Sequence, residues 1–218
     1  LCNSGAEANE GAIKAACALT GRSGIIATKR AFHGRTLGAL SLTWNKKYRE
    51  PFADWSGQVD HVAYGDLDAV REAITDQTAA VMVEAVQGEG GVHPAEPAYL
   101  QGLRALCDEH GVLLVIDEVQ AGMGRTGRWF AFEHAGIVPD IVTMGKAIAG
   151  GVPMGAVVWR ESLGELPRSS HGSTFGGNPL AAAASIATIT TLRDGGLVAH
   201  AAELGAWMMD QLRAMELD

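Results

Sequence analysis

Val112-Leu-Leu-Val-Ile-Asp117 is a run of five apolar residues that stops on a carboxylate. Two other runs end in the same way. Ala79-Ala-Val-Met-Val83 leads into Glu84, and Ile141-Val-Thr-Met144 passes through Gly145 to Lys146. Short apolar runs without alternation suit parallel strands buried on both faces, so the sequence predicts an α/β fold. Ile25-Ile-Ala-Thr28 and Gly155-Ala-Val-Val-Trp159 read as further strands. In open α/β sheets ligands bind beyond the carboxyl ends of the strands. A carboxylate and a lysine are therefore aimed at one pocket. Taken singly, Asp117 would pass for a helix cap and Lys146 for a solvated side chain.

The segments between the runs carry helix signals. Asn3 or Ser4 suits the cap of a helix from about Ala6 to Leu19, with Glu7 in its first turn, and free N–H groups at such an end bind phosphate well. Gly11 falls inside this helix, where it costs about 1 kcal/mol relative to Ala unless packing compensates. Pro94-Ala-Glu-Pro97 starts a helix that runs through His110 and closes on Gly111. Another has Pro179 at its first position and Gly195-Gly196 beyond its end. Leu197 to about Met215 is amphipathic, with Leu204, Trp207, Met208 and Leu212 in one stripe. Glycines cluster at 88–91, 122–127, 150–155 and 172–177, outside the expected elements.

Composition narrows the class. The chain has 218 residues, 47% of them hydrophobic, and a formal charge of −8. That charge argues against nucleic acid as the main partner. No apolar run approaches membrane-span length and no stretch reads as a signal peptide, so no membrane partner is expected. Cys2, Cys17 and Cys107 are odd in number and widely spaced, which suits a reducing, cytoplasmic setting without disulfides. The seven histidines lack metal-ligand spacing and are expected in scattered surface or core roles.

Asp117-Glu-Val-Gln-Ala-Gly-Met-Gly-Arg-Thr-Gly127, followed by Pro139-Asp-Ile-Val-Thr-Met-Gly-Lys-Ala-Ile-Ala-Gly-Gly-Val-Pro-Met-Gly155, resembles the class III (ω-amino acid type) pyridoxal phosphate aminotransferases. The resemblance spans essentially the whole chain. It implies the type I fold of pyridoxal-phosphate-dependent transferases, with a mostly parallel seven-stranded sheet between helices. It also implies the cofactor pyridoxal 5'-phosphate, bonded covalently to Lys146, with Asp117 at its pyridine nitrogen and Gln120 at its ring 3-oxygen. By the same resemblance, Gly5 and Ala6 give backbone N–H groups to the phosphate, and Phe32 stacks on the ring. Arg35, in Ala31-Phe-His-Gly-Arg-Thr36, grips the substrate carboxylate, a task that suits a planar guanidinium. Glu89, in Glu84-Ala-Val-Gln-Gly-Glu-Gly-Gly91, forms a gate with an arginine that this chain does not include. Ser173 joins the substrate-binding set, and Thr174 reaches the phosphate of a neighbouring subunit in a homodimer with shared sites. One departure stands out: Ala85 occupies a position where the family usually has proline, which loosens the placement of Glu89.

The resemblance divides the chain into a large cofactor-binding domain at 1–196, incomplete at its start, and a helix at 197–218 leading to a small C-terminal domain outside it. The sequence is thus expected to be a piece of a longer enzyme. That enzyme would pass the terminal amino group of an N-blocked diamino acid, such as acetylornithine, to 2-oxoglutarate in arginine or lysine biosynthesis. Val92-His-Pro-Ala95 and the stretch from Phe130 to Pro139 look most like lysine-biosynthetic relatives, whose substrate rides on a small acidic carrier protein. Lys29, Arg30, Arg35, Lys46, Lys47 and Arg49 lie within 21 positions that hold no acid, and would make a basic rim for such a carrier. Composition alone accommodates a solvated basic face equally well. The alternatives are a 4-aminobutyrate or ornithine aminotransferase, or a homologue without catalytic activity.

Overall fold

The computed structural model describes residues 1–55, 57 and 59–215. In chain order the elements are α1 (Gly5–Thr20), β1 (Gly24–Thr28), α2 (Leu37–Leu42), α3 (Lys46–Arg49), β2 (Val59–Val62), α4 (Leu67–Ala73) and β3 (Thr78–Glu84). There follow β4 (Val86–Gln87), β5 (His93–Pro94), α5 (Pro97–His110), β6 (Leu113–Asp117), β7 (Ile141–Met144), β8 (Ala156–Trp159), α6 (Pro179–Asp194) and α7 (Leu197–Ala214). β4 and β5 form a small antiparallel pair. The other six strands form one sheet in the order β2-β1-β3-β6-β7-β8, parallel throughout except for β8, which runs antiparallel to β7.

The lack of alternation in the apolar runs has a direct cause. Ile26, Val81, Val83, Leu114 and Ile116 pack on one face against Leu100, Leu103 and Leu106 of α5. Their neighbours Ile25, Ala80, Met82, Leu113 and Val115 pack on the other against Ala12, Ala15 and Ala16 of α1. Every residue of β3 and β6 is buried. Alanines let α1 lie close to the sheet. A Cβ on Gly11 would sit 3.0 Å from Val157 Cγ1, so close packing compensates the glycine within the helix.

Six strands stand where seven were expected, among the described residues. The seventh position, beside β8, is taken by a single bridge in which Cys2 and Gly155 exchange both backbone hydrogen bonds at 2.9 Å. The helix α7 keeps its apolar stripe in solvent, with Trp207 58% exposed. Residues 216–218 of the expected 197–218 helix lie outside the described residues. None of the described helices is long and apolar enough to cross a membrane.

Register places the site. Glu84 pairs with Asp117, and Asp117 pairs with Thr143, so three parallel strands end at one level. The cap of α1 faces the same end. Ser4, rather than Asn3, is the cap: its Oγ accepts the Glu7 N–H at 3.1 Å, while Glu7 Oε2 accepts the Asn3 N–H at 2.7 Å. The two bonds satisfy the N–H groups of Glu7 and Asn3, and such a cap stabilises a helix start by about 1 kcal/mol.

Candidate active site

A cavity of about 300 Å³ opens beyond these strand ends, lined by Gly5, Ala6, Asn9, Phe32, His33, Gly34, Arg35, Glu84, Asp117, Val119, Gln120 and Lys146. Seven residues expected from the sequence meet there: Gly5, Ala6, Phe32, Arg35, Asp117, Gln120 and Lys146.

Asp117 is buried, and its carboxylate is fixed from three directions. Oδ1 accepts the Val119 N–H at 2.9 Å, and Oδ2 accepts Asn9 Nδ2 and His33 Nδ1, each at 2.8 Å. Lys146 follows Gly145, where a Cβ would sit 3.1 Å from the N and Cα of Gly5. Lys146 itself has φ 42°, a left-handed backbone that L residues adopt at a cost and that tends to occur at functional positions. Its Nζ donates to Gln120 Oε1 at 2.7 Å. Gln120 lies over Gly88, where a Cβ would collide with the amide.

The start of α1 forms the opposite wall. Among the described residues no group accepts from the N–H groups of Gly5 and Ala6, which leaves two aligned donors at the positive end of a 16-residue helix. Gly5 must be small, because a Cβ there would come within 2.6 Å of Val119 Cγ1. On the loop after β1, the Phe32 N–H donates to Glu84 Oε2 at 3.1 Å, and the His33 N–H donates to Thr43 Oγ1 at 2.9 Å. Burial pushes the Glu84 carboxyl up to about 7, opposed by His33 and by the N–H groups of Phe32 and Gly88. The Arg35 guanidinium lies 3.9 Å from the centroid of the Tyr48 ring and 5.8 Å from that of Phe32.

Three expected site residues lie elsewhere. Glu89 is exposed and lines an adjoining cavity of about 390 Å³, shared with Arg30, Phe32, Lys46 and Tyr48. Ser173 Oγ accepts Asn3 Nδ2 at 2.9 Å, just outside the cap of α1, and Thr174 is exposed on the following loop. Neither lines the cavity of Lys146. The basic residues divide: Lys29 and Arg49 lie over Trp44, while Arg30 and Lys46 line the adjoining cavity.

His33 takes a core position, one of the roles expected of the histidines, and also lines the cavity. Its side chain is fully buried and bonded to Asp117. The sequence signal was its place within Phe32-His-Gly-Arg35, between two residues already singled out. Asn9 was missed as well. A polar residue on the buried alanine face of α1 was its only mark.

The family model described as aminotransferase class-III matches residues 1–218. The chain belongs to the class III aminotransferases. Among its relatives in this family, a [LysW]-aminoadipate semialdehyde transaminase of Deinococcus radiodurans is 52% identical over 99% of this chain and 51% of its own length. An acetylornithine aminotransferase of Methanosarcina mazei is 50% identical, over 100% of this chain and 55% of its own. The chain thus spans about half the length of the curated relatives it matches. Among solved structures, the ornithine aminotransferase of Toxoplasma gondii superposes with a TM-score of 0.91 at 38% identity, covering 97% of this chain and 52% of the other. That structure is described as having partial occupancy of PLP at its active site. The mostly parallel sheet between helices agrees with the type I transferase fold expected from the sequence.

Proposed function

We propose that this chain is the cofactor-binding part of a pyridoxal-phosphate-dependent aminotransferase acting on the terminal amine of an N-blocked diamino acid, with 2-oxoglutarate as acceptor. The observation that carries the proposal is the meeting of Lys146, Asp117 and the two unbonded N–H groups of α1 in one cavity.

These residues fit pyridoxal phosphate. Asp117 is a buried carboxylate suited to a protonated ring nitrogen, the N–H groups of Gly5 and Ala6 suit the phosphate, and Lys146 supplies a primary amine. When bound, the cofactor supplies a carbonyl carbon for the amine and a ring that draws electrons from the carbon bearing it. Asp117 holds a proton at the ring nitrogen, and Gln120 donates toward the ring oxygen while holding Lys146 Nζ. Lys146 Nζ takes the proton from the substrate carbon and delivers it for amine transfer. Phe32 covers one face of the ring and excludes water, and Arg35 pairs with the substrate carboxylate. Glu89, in the adjoining cavity, gates the acceptor. Ser173 contacts substrate, and Thr174, exposed here, reaches the phosphate of a second copy in a cytoplasmic homodimer.

Relatives at 50% and 52% identity bear the acetylornithine and [LysW]-aminoadipate names, which favours an N-blocked donor over ornithine or 4-aminobutyrate. The test is a donor panel with 2-oxoglutarate on the whole protein from which this sequence comes. The specificity constant should be highest for acetylornithine or for a lysine derivative on an acidic carrier; a preference for free ornithine or 4-aminobutyrate overturns the donor assignment. If the carrier is used, its turnover should fall steeply with added salt and in Lys46→Glu/Lys47→Glu, while that of acetylornithine changes little.

A further inference from the structure

Asp117 Oδ2 accepts two side-chain hydrogen bonds from residues far away in sequence, Asn9 on α1 and His33 on the loop after β1. Both donors are buried, at 1% and 2% exposure. Asn9 Nδ2 also donates to the His33 carbonyl at 2.6 Å, so the three residues form a closed unit that ties α1, the β1 loop and the tip of β6 together. At the outer ends of the unit, His33 Nε2 and Asn9 Oδ1 are buried without partners among the described residues. This pattern fixes the imidazole. Nδ1 faces a carboxylate oxygen and must carry the proton. Burial opposes the charged imidazole, but the Asp117 carboxylate holds its pKa above the ordinary value.

We propose that His33 and Asn9 are positioning residues for Asp117. They hold Oδ2 by two donors, which fixes the direction of the carboxylate toward the place of the cofactor's ring nitrogen. The proposal rests on the reading of the cavity as a pyridoxal phosphate site. Hydrogen bonds to a charged group are among the stronger ones in proteins, and a half-satisfied buried network is costly. Removing the His33 donor therefore frees the carboxylate to turn, and the ring nitrogen loses its partner. A merely space-filling histidine would have no such effect on the cofactor.

The test reads nitrogen protonation rather than turnover. In the protein labelled with ¹⁵N-histidine, His33 should show a protonated Nδ1, with or without cofactor. Loaded with ring-¹⁵N pyridoxal phosphate, the wild type should show a protonated ring nitrogen. His33→Leu should shift that resonance toward the unprotonated form and weaken cofactor binding roughly tenfold. His33→Asn, whose amide can donate to Oδ2, should restore most of both. An unchanged ring-nitrogen resonance and affinity in His33→Leu, or a bare Nδ1 in the wild type, overturns the proposal. Should His33→Leu fail to fold, Asn9→Leu and the wild-type histidine resonances decide the matter. If the wild type takes up no pyridoxal phosphate, the reading of the cavity falls, while the histidine resonances still decide whether His33 donates to Asp117.

Discussion

Asp117 takes three hydrogen bonds within its own fold and still lines the cavity, which suits a charge kept in place before any ligand arrives. Asp117→Asn keeps the shape but not the charge. Proton transfer from a bound donor should slow roughly a hundredfold or more while the cofactor stays bound, as single-turnover absorbance would show. A parent-like rate would remove Asp117 from its role. A second buried acid makes a different prediction. Glu118 accepts the Phe132 N–H at 3.0 Å, and burial pushes its carboxyl from an ordinary 4.5 up to about 7, against the pull of the Ala131 and Phe132 N–H groups. Between those values the folded chain keeps a proton that the unfolded chain has released, so stability falls as pH rises from about 4.5 to about 7. Glu118→Gln should shrink the loss measured by urea unfolding between pH 5 and pH 8 by roughly 2 kcal/mol. An identical loss in both proteins would show that Glu118 does not hold that proton. His33 and Asn9 were not legible as site residues because their meaning lies in contacts across 84 and 108 positions of sequence.

At the level of elements, the long buried strands were readable and the short exposed ones were not. β3 and β6 follow from uninterrupted apolar runs, and the shorter β7, with Thr143 inside it, from the run that leads to Lys146. β2 escaped notice because Val59-Asp-His-Val62 is a partly exposed edge with one buried residue. α2 and α4 have six and seven residues, too short to show a helical period. The β4–β5 pair has two residues in each strand. The start of α1 is held against the sheet by the Cys2–Gly155 bridge, and a Cβ on Gly155 would run into the carbonyl oxygen of Ser4. Gly155→Ala should therefore displace the cap. We expect destabilisation of about 1–3 kcal/mol and weaker binding of pyridoxal phosphate, measured by denaturant unfolding and cofactor titration. Retention of both at the parent level would mean that the helix start is not held through Gly155.

Across the whole molecule, the site joins α1 at the beginning of the chain to the tips of strands more than a hundred residues later. Motif order in the sequence was enough to bring Gly5, Ala6, Phe32, Arg35, Asp117, Gln120 and Lys146 together. It did not bring Glu89, Ser173 and Thr174 into the same cavity: Glu89 was expected as a gate and Thr174 to reach a second subunit, while Ser173, expected at the substrate, is bonded to Asn3 outside the cap of α1. The central claim is that this assembled cavity holds pyridoxal phosphate by a covalent bond to Lys146. The direct measurement is to load the protein with pyridoxal phosphate, reduce it with borohydride, digest it and locate the added cofactor mass by mass spectrometry. The account predicts the label on the peptide containing Lys146 and its loss in Lys146→Ala, with non-covalent binding retained. Label on another lysine, or none on the wild type, would contradict it.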